Sequence, residues 1–323
     1  MSGARDHGGN LAEAMARFGG PPERWIDLST GINRVPYPFA PPSDAAWRAL
    51  PGSGPGARLI AAAQAGFATG WPVLPLAGAQ AAIQLLPALA PAGPVRIVTP
   101  TYNEYAGVLA AAGRAVEPVA EPAALAGAGL GIVVNPNNPD GRRVTPAALR
   151  ALAGQVGLLV VDESFADPHA HLSLLPGPCP GNVIVLRSFG KFYGLAGLRL
   201  GFALGAEPHL ARLAALAGPW AVSGPALEIG AAALADADWR AASIARLEAE
   251  TRQADALAAQ AGWGRAGGTA LFRLYDTPDA GAAQARLARA HIWSRIFPWS
   301  GRWLRLGLPG SPAEWDRLAA ALR

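Results

Sequence analysis

Lys191 is the only lysine in this chain of 323 residues, although lysine and arginine together number 27. Arginine serves wherever a positive charge or an ion pair is needed, but its guanidinium keeps its proton in proteins. A lysine amine loses its proton more readily and adds to a carbonyl group, which forms a Schiff base. We therefore interpret Lys191 as a residue retained for amine chemistry. The alternative is a surface lysine without a chemical role.

The residues around Lys191 have a specific spacing, with Ser188 three positions before it and Arg199 eight positions after it. The segment 187–201 resembles the cofactor-lysine signature of the aspartate-aminotransferase-fold (fold type I) pyridoxal phosphate enzymes. This resemblance implies pyridoxal 5'-phosphate as the cofactor, bound covalently by Lys191. It also implies that Ser188 and Arg199 hold the cofactor phosphate. A serine hydroxyl and a bidentate guanidinium suit a dianionic phosphate.

Further cofactor residues implied by the resemblance lie upstream in the family's order: Ala79, Gln80, Tyr102, Asn138 and Asp162. The backbone amides of Ala79 and Gln80 would meet the phosphate at the start of a helix. Tyr102 would stack on the cofactor ring, and Asn138 would donate to its phenolate oxygen. Asp162 would pair with the pyridine nitrogen and keep it protonated, so that the ring accepts electrons from a cleaved bond. Lys191, Asp162 and Tyr102 are thus the predicted catalytic residues.

The same residues have ordinary structural interpretations, which the sequence leaves open. Gly78-Ala79 would be a common strand-to-helix turn, Tyr102 a core aromatic after a strand, and Asp162 a helix cap. The order of the motifs along the chain favours the cofactor interpretation.

Short β-branched runs alternate with alanine- and leucine-rich helical stretches, which is typical of an α/β fold with a mostly parallel sheet. The candidate strands are 96–99, 131–134, 158–161, 183–186 and 198–204. Most of these strands run directly into polar or turn-forming residues. Because ligands bind at the carboxyl ends of strands in such sheets, these junctions should line one site.

The domain organisation follows from periodicity and from the resemblance. We expect an arm over residues 1–45 that contributes to the substrate site, and a large cofactor-binding domain over residues 46–220. A smaller C-terminal α+β domain should cover residues 221–323. Thr145 and Ser311 read as helix N-caps followed by proline, and residues 240–261 as one long amphipathic helix.

The two ends of the chain resemble the threonine-phosphate decarboxylase group of the cobalamin pathway, which is related to histidinol-phosphate aminotransferases. The resemblance rests on the His7-Gly8-Gly9 run, on residues 27–33 and on the cofactor segment. It implies decarboxylation of L-threonine O-3-phosphate to (R)-1-amino-2-propanol phosphate. The implied substrate-binding residues are His7, Gly8, Gly9, Gly31, Asn33, Arg295, Arg302 and Arg305. Among them Arg305 would bind the carboxylate, and Arg295 or Arg302 the second anion.

Three residues depart from the pattern of that group. Phe165 replaces a tyrosine that bonds the phenolate oxygen in many relatives, which disfavours close kinship with histidinol-phosphate aminotransferases. Gly31 stands where an asparagine often contacts the substrate, and Leu50 replaces a tyrosine that often reaches the neighbouring subunit's phosphate. Two other activities stay open: an aminotransferase for a phosphorylated amino acid, and a non-catalytic cofactor-binding regulator.

The composition of the chain also bears on its binding partners, its location and the presence of a metal site. The net charge is +4, but the arginines are scattered, which predicts a solvated surface and no nucleic-acid partner. One cysteine, Cys179, suits a reducing cytoplasm, and the apolar stretches are too interrupted for a membrane span. His169 and His171 lack nearby acidic or cysteine ligands, so we expect no metal site. A cytoplasmic homodimer is the expected state.

Overall fold

The computed structural model describes residues 7–323 of the chain. Contacts between Cα atoms divide these residues into two compact units. The large unit comprises residues 37–138 and 142–240. The small unit comprises the described residues up to 36, together with residues 139–141 and 241–323. The first six residues of the expected arm lie outside the described residues, and the domain boundaries expected near residues 45 and 220 stay predictions.

The strands are β1 (Ile26–Asp27), β2 (Val73–Leu76), β3 (Val95–Val98), β4 (Val116–Val119), β5 (Leu130–Val134), β6 (Leu158–Asp162), β7 (Val183–Ser188), β8 (Gly201–Gly205), β9 (Gly264–Gly268), β10 (Phe272–Asp276), β11 (Ile292–Trp293), β12 (Arg295–Phe297) and β13 (Ser300–Gly307). The α-helices are α1 (Leu11–Phe18), α2 (Asp44–Arg48), α3 (Ser53–Gly66), α4 (Ala79–Leu85), α5 (Glu104–Ala111), α6 (Pro146–Ala153), α7 (Phe189–Phe192), α8 (Glu207–Ala217), α9 (Gly224–Ala235), α10 (Ala237–Gln260), α11 (Ala280–Arg289) and α12 (Pro312–Leu322).

The large unit contains a seven-stranded sheet in the order β2-β8-β7-β6-β5-β3-β4. Strands β7, β6, β5, β3 and β4 pair in parallel, whereas β8 runs antiparallel to both of its neighbours. Strands β5 to β8 are buried along their whole length, except that Ser188 at the end of β7 is partly exposed. Continuous burial of this kind indicates that both faces of the sheet are covered, as parallel sheets require.

The core of the large unit forms where helices α4, α5 and α8 pack on one face of the sheet. Ile83, Tyr105 and Leu213 from these helices join strand residues such as Ile132 and Val160 in one apolar cluster. The period of two along a strand sends the alternate residues to the opposite face, and they are buried as well. The predicted α/β architecture is therefore present, with one antiparallel strand in the sheet.

The predicted strands match the observed ones to within a residue or two, except at one place. Residues 198–204 do not form a single strand. Residues 196–198 form a 3-10 turn, Arg199 has left-handed backbone angles (φ 54°, ψ 51°), and β8 begins only at Gly201. The alternation Leu198-Arg199-Leu200 resembles a strand in sequence, but its backbone is a turn.

The small unit contains a four-stranded antiparallel sheet in the order β12-β13-β10-β9 and a parallel pair of β1 with β11. Apolar residues of these strands, of α12 and of the end of α10 form its core, which includes Leu304, Leu318 and Trp263. None of its strands was predicted from the sequence, because the segments are short and rich in arginine and glycine.

The predicted helix caps are present. Thr145 accepts a hydrogen bond from the amide of Ala148, and Ser311 accepts one from the amide of Glu314. The long helix expected over 240–261 is α10, which begins three residues earlier. Among the helices of residues 7–323, none combines the length and the apolar character needed to cross a membrane.

Candidate active site

A cavity of about 180 Å³ opens in the large unit at the carboxyl ends of its central strands. All eight residues predicted to bind the cofactor line this cavity: Ala79, Gln80, Tyr102, Asn138, Asp162, Ser188, Lys191 and Arg199. They come from five chain segments, so the fold has gathered residues that are up to 120 positions apart. The junctions at the strand ends therefore meet at one place.

Lys191 lies on the short helix α7, which follows β7 directly. Its Nζ lies 5.7 Å from the centre of the Phe165 ring, within the range of a cation–π contact. Phe165 is 4% exposed and also lines the cavity. Phe165, which replaces the tyrosine of many relatives, thus forms an apolar part of the cavity lining close to the amine of Lys191.

Ser188 is the last residue of β7. Arg199 follows the 3-10 turn at residues 196–198 and lies two residues before the antiparallel strand β8. The left-handed backbone of Arg199 brings its guanidinium against Gly78, which itself has a φ of 82°. A Cβ at Gly78 would lie 2.9 Å from Nη2 of Arg199. The glycine is therefore required both for the turn between β2 and α4 and for the position of the arginine.

Asp162 is the last residue of β6 and is 3% exposed. Its Oδ1 accepts a hydrogen bond from the amide of Ser164 (2.9 Å), and its Oδ2 accepts one from the hydroxyl of Tyr105 (2.7 Å). Burial, followed by the charge of Asp162, raises the pKa of Tyr105 well above its usual value. The phenol consequently stays protonated and acts as the donor.

Tyr102 is held by a chain of side-chain hydrogen bonds. Its hydroxyl donates to Oε1 of Gln80 (3.1 Å), and Nε2 of Gln80 donates to Oε2 of Glu104 (2.9 Å). Glu104 is 7% exposed. The ring of Tyr102 packs edge-on against Tyr105, with 6.3 Å between the ring centres. These contacts fix the ring that was predicted to stack on the cofactor.

The loop that carries Asn138 is organised by the two other asparagines of its motif. Asn135 bonds the backbone of Val144 through both ends of its amide, and Nδ2 also reaches the carbonyl oxygen of Leu172. Asn137 donates to the carbonyl oxygen of Pro100 (2.9 Å). Asn135 and Asn137 are therefore structural, and Asn138 is the one that lines the cavity.

Two neighbours of cavity residues in the sequence belong to a buried ion-pair cluster: Glu163 follows Asp162, and Arg187 precedes Ser188. Arg187 bonds Glu163 (3.0 Å) and Asp167 (2.9 Å), and all three side chains are at most 6% exposed. Burial alone would lower the pKa of Arg187, but the charges of Asp167 and Glu163 raise it. Removing one partner of such a cluster typically costs about 3–5 kcal/mol.

In the small unit, Arg305 is 4% exposed and donates to the carbonyl oxygen of Ser29. The hydroxyl of Ser29 accepts from the amide of Gly9 (2.7 Å) and donates to Asp27 (2.6 Å). A Cβ at Gly8 would lie 2.4 Å from the oxygen that Arg305 contacts. The His7-Gly8-Gly9 run is thus docked on the segment that holds Arg305.

A second cavity, of about 230 Å³, lies in the small unit. Its lining includes His7, Gly8, Ser29, Ser294 and Arg295. The hydroxyl oxygen of Ser294 is buried and has no hydrogen-bond partner among residues 7–323. Glu13 and Arg17 also line the cavity and pair with each other at 3.4 Å. The guanidinium of Arg295, the imidazole of His7 and the hydroxyls are groups that can bind an anion.

The other predicted substrate residues lie outside the lining of this cavity. Arg302 is on the surface, where it bonds Asp276 at 2.7 and 2.6 Å. Asn33 is buried, and its Oδ1 accepts from Arg246 (2.9 Å) and from the amide of Val35 (3.1 Å). Gly31 is also buried. Of the two arginines expected for the second anion, the structure brings only Arg295 to the cavity.

Two residues of these sites were missed by the sequence analysis. Tyr105 lies three positions after Tyr102, in the first turn of α5, and its closeness to Tyr102 in the sequence was the available signal. Ser294 belongs to no motif, and the sequence carries no signal for it. The ring centres of His169 and His171 are 6.2 Å apart. No set of three or more metal-ligating side chains occurs within the described part of the chain.

Comparison with known proteins identifies the family. The family model for aminotransferase class I and II matches residues 67–322. The chain belongs to this family. Members of the aminotransferase class I and II family use pyridoxal phosphate, and this is the cofactor of the chain. The predicted fold type and cofactor are thereby confirmed.

Two relatives resemble the chain over its full length. A threonine-phosphate decarboxylase from Sinorhizobium sp is 49% identical, covering 100% of this chain and 98% of that protein. A threonine-phosphate decarboxylase from Pseudomonas aeruginosa is 43% identical, covering 98% and 97%. The crystal structure of histidinol-phosphate aminotransferase from Sinorhizobium meliloti in complex with pyridoxal-5'-phosphate has a TM-score of 0.79 at 23% identity, covering 99% and 94%. This last similarity establishes the shared fold.

The cavity of the large unit fits the family's cofactor. It offers one amine at Lys191, one buried carboxylate at Asp162, and a hydroxyl and a guanidinium at Ser188 and Arg199. Gly78 leaves the approach to Arg199 free of a side chain, as a bound phosphate requires. The aldehyde, the ring nitrogen and the phosphate of pyridoxal phosphate therefore each have a chemically matched group in the lining.

Proposed function

We propose that the protein is a pyridoxal phosphate-dependent carboxy-lyase that converts L-threonine O-3-phosphate to (R)-1-amino-2-propanol phosphate and carbon dioxide. The product would supply the aminopropanol linker of cobalamin. Support comes from the two full-length relatives named threonine-phosphate decarboxylase and from the residues gathered in each unit.

The proposal assigns cofactor binding to the large unit. Lys191 holds the cofactor covalently, Ser188, Arg199 and the amides of Ala79 and Gln80 hold its phosphate, and Asn138 donates to its phenolate oxygen. Tyr102 stacks on the ring, and Asp162 keeps the ring nitrogen protonated. When bound, pyridoxal phosphate supplies an electron sink for the bond that breaks when the carboxylate leaves. Because Phe165 has no hydroxyl, Asn138 is the main side-chain donor to the phenolate, and Asn138→Ala should weaken cofactor binding.

The proposal assigns recognition of the two substrate anions to the small unit. Arg305 is fixed by Ser29 and binds the carboxylate, with Gly31 and Asn33 shaping the same segment. His7, Gly8, Gly9 and Arg295 bind the phosphate. Arg302 is the weaker candidate because its guanidinium already forms two bonds with Asp276. The single observation that carries the assignment is the second cavity, where Arg295 and His7 meet hydroxyl groups, because an uncharged amino acid would not need it.

The decisive experiment measures the products formed from phosphothreonine and from threonine by the cofactor-loaded protein. We expect carbon dioxide and aminopropanol phosphate in equal amounts, with phosphothreonine preferred by orders of magnitude, because a lost charged contact costs about 2–5 kcal/mol. Equal activity on both compounds would contradict the two-anion assignment.

Matched arginine variants test the phosphate site. Arg295→Ala should erode the preference for the phosphorylated substrate, as should His7→Ala, whereas Arg302→Ala should leave it unchanged. Arg305→Ala should abolish turnover. If Arg302→Ala reduces the preference and Arg295→Ala does not, the assignment of the second anion is wrong.

The covalent role of Lys191 has its own test. Borohydride reduction of the loaded protein, followed by peptide mapping, should place the pyridoxyl group on Lys191. A label found elsewhere, or the absence of a visible cofactor band, would contradict the assignment of the site.

The second candidate function is an aminotransferase for a phosphorylated amino acid, which would use the same residues but release the Cα proton in place of the carboxylate. A stoichiometric keto acid among the products would identify it. A non-catalytic regulator, the third candidate, would bind the cofactor and form neither product.

We also propose that the protein is a cytoplasmic homodimer. Its single cysteine, Cys179, leaves no partner for an internal disulfide. The large unit exposes Trp47 (67%), Leu50 (68%) and Trp220 (58%), and apolar side chains of this size commonly mark a subunit contact. Sedimentation analysis should show a dimer for the wild-type protein. The Trp47→Glu variant should shift toward the monomer.

A further inference from the structure

Tyr105 connects helix α5 to the carboxylate at the end of β6. Its side chain is fully buried, and its hydroxyl lies 2.7 Å from Oδ2 of Asp162. The ring packs in the core of the large unit with Ile83 and Val108. The phenol does not line the cavity, so it acts on the site only through Asp162.

Within residues 7–323, each of the two oxygens of Asp162 has one hydrogen-bond donor. Oδ2 accepts from Tyr105, and Oδ1 accepts from the amide of Ser164. Hydrogen bonds to a carboxylate stabilise its charged form, and two of them on different oxygens also fix its plane. Each oxygen keeps a second lone pair for a donor in the cavity.

We propose that Tyr105 is a positioning residue that holds Asp162 charged and oriented toward the cofactor, and so keeps the proton on the pyridine nitrogen. This inference rests on the proposed role of Asp162. An ion pair between a carboxylate and a pyridinium competes with a neutral pair in which the carboxyl group has taken the proton. A donor on the carboxylate favours the charged pair, and its removal favours the neutral pair, which is the weaker electron sink.

Several charged groups lie on the elements around this bond: Glu104 on α5 accepts a hydrogen bond from Gln80, and Glu163, which follows Asp162, pairs with Arg187. Tyr102 is the second titratable group that acts on Tyr105, and its own hydroxyl is directed to Gln80. Lys191 faces the same cavity as Asp162. The hydrogen bond from Tyr105 is a direct contact between α5 and the carboxylate of Asp162.

The test uses Tyr105→Phe in the cofactor-loaded protein, with Tyr275→Phe as the matched control. Tyr275 is also buried, and its hydroxyl donates to the carboxylate of Asp255 (3.1 Å) in the small unit. Both variants lose a phenol-to-carboxylate bond, but only Tyr105→Phe loses one at the site. The measurements are the pH titration of the visible cofactor band, the cofactor dissociation constant, and kcat and KM separately.

For Tyr105→Phe we expect a cofactor dissociation constant and a kcat that each worsen about tenfold, as the loss of a bond to a charged group predicts. The visible titration should shift, and KM should stay within about twofold because Tyr105 does not line the cavity. Tyr275→Phe should lose comparable thermal stability and change none of these values. Replacing Tyr105 by 3-fluorotyrosine, whose hydroxyl is a stronger hydrogen-bond donor, should shift the titration in the opposite direction. This second variant tests the inference if the phenylalanine variant does not fold.

An unchanged titration and an unchanged cofactor affinity in both Tyr105 variants would overturn the inference and leave Tyr105 as a core residue. The failure of the proposed function has a different signature. In that case the wild-type protein itself would form no covalent adduct at Lys191. An aminotransferase outcome for the wild-type protein would leave the inference on Tyr105 intact, because both reactions need the same electron sink.

Discussion

The guanidinium of Arg305 donates to the backbone oxygen of Ser29, although the two residues are 276 positions apart in the chain. The hydroxyl of the same serine accepts from the amide of Gly9. One residue therefore connects the arginine proposed for the carboxylate to the run proposed for the phosphate. A change at either contact should be felt by both anion sites.

Gly8→Ala tests this connection. The added Cβ would lie 2.4 Å from the carbonyl oxygen of Ser29, so the His7-Gly8-Gly9 run must move away. We expect KM for phosphothreonine to rise at least tenfold with little change in cofactor affinity. Gly301→Ala is the control, since no atom lies within 4 Å of its added carbon. A normal KM in Gly8→Ala would show that the docked run is not needed for binding.

Gly78→Ala should weaken cofactor binding by displacing Arg199, whose Nη2 would lie 2.9 Å from the new carbon. Gly113→Ala is a close control. Its φ of 73° resembles the 82° of Gly78, but its surroundings are open. Both variants should lose about 1 kcal/mol of stability from the left-handed backbone, and only Gly78→Ala should raise the cofactor dissociation constant. Equal cofactor affinities in the two variants would contradict a phosphate role for Arg199.

Ser294→Ala should change stability and binding in opposite directions. The buried hydroxyl oxygen has no partner within residues 7–323, so its removal should leave the cofactor-free protein as stable or more stable. Phosphothreonine binding should weaken by about tenfold, because a hydrogen bond to a charged group is lost. Calorimetric titration measures the second effect. Ser243→Ala, a buried serine of α10 outside the cavity, serves as control, and parallel behaviour of the two variants would argue against a ligand contact.

The ion pair between Arg34 and Glu314 should make the folding stability depend on pH in the acidic range. Burial alone would raise the pKa of Glu314, but hydrogen bonds from Arg34 and from the amide of Gly310 lower it below its usual value. A lowered pKa in the folded state adds stability that is fully present above the unfolded-state pKa, near 4.5, and is lost as pH falls through the folded-state value.

The corresponding variant is Glu314→Gln. It should be less stable than the wild-type protein by about 1 kcal/mol at pH 7, and the difference should vanish as the pH falls below about 4. Denaturant unfolding at several pH values measures this. Glu248→Gln, an exposed glutamate of α10, should show no such convergence. A difference that stays constant down to pH 3 would contradict the pairing.

Local signals explain which parts of the fold could be predicted. Thr145 and Ser311 cap helices through contacts three residues away, and the strands before Asn135 and Asp162 are continuous apolar runs. The residues of the first cavity could be located because their motif order fixes the strand ends that carry them.

The remaining features depend on contacts between distant segments. Nothing local at Arg302 predicts its pairing with Asp276, which takes it to the surface, and nothing local at Asn33 predicts its bond to Arg246. The left-handed turn at Arg199 was missed because its apolar neighbours have the alternation of a strand. Ser294 gains its significance from burial, which its sequence neighbours do not reveal.

Lys191 lines the cavity proposed for the cofactor and is also the only side-chain amine of the 323 residues. An acylating reagent has no second lysine to modify, and the arginines do not react under the same conditions because they stay protonated. The extent of acylation at this one position, read by mass spectrometry, would therefore report the fraction of molecules that lack cofactor. The protein thus contains its own single-site occupancy probe, which needs neither substrate nor turnover.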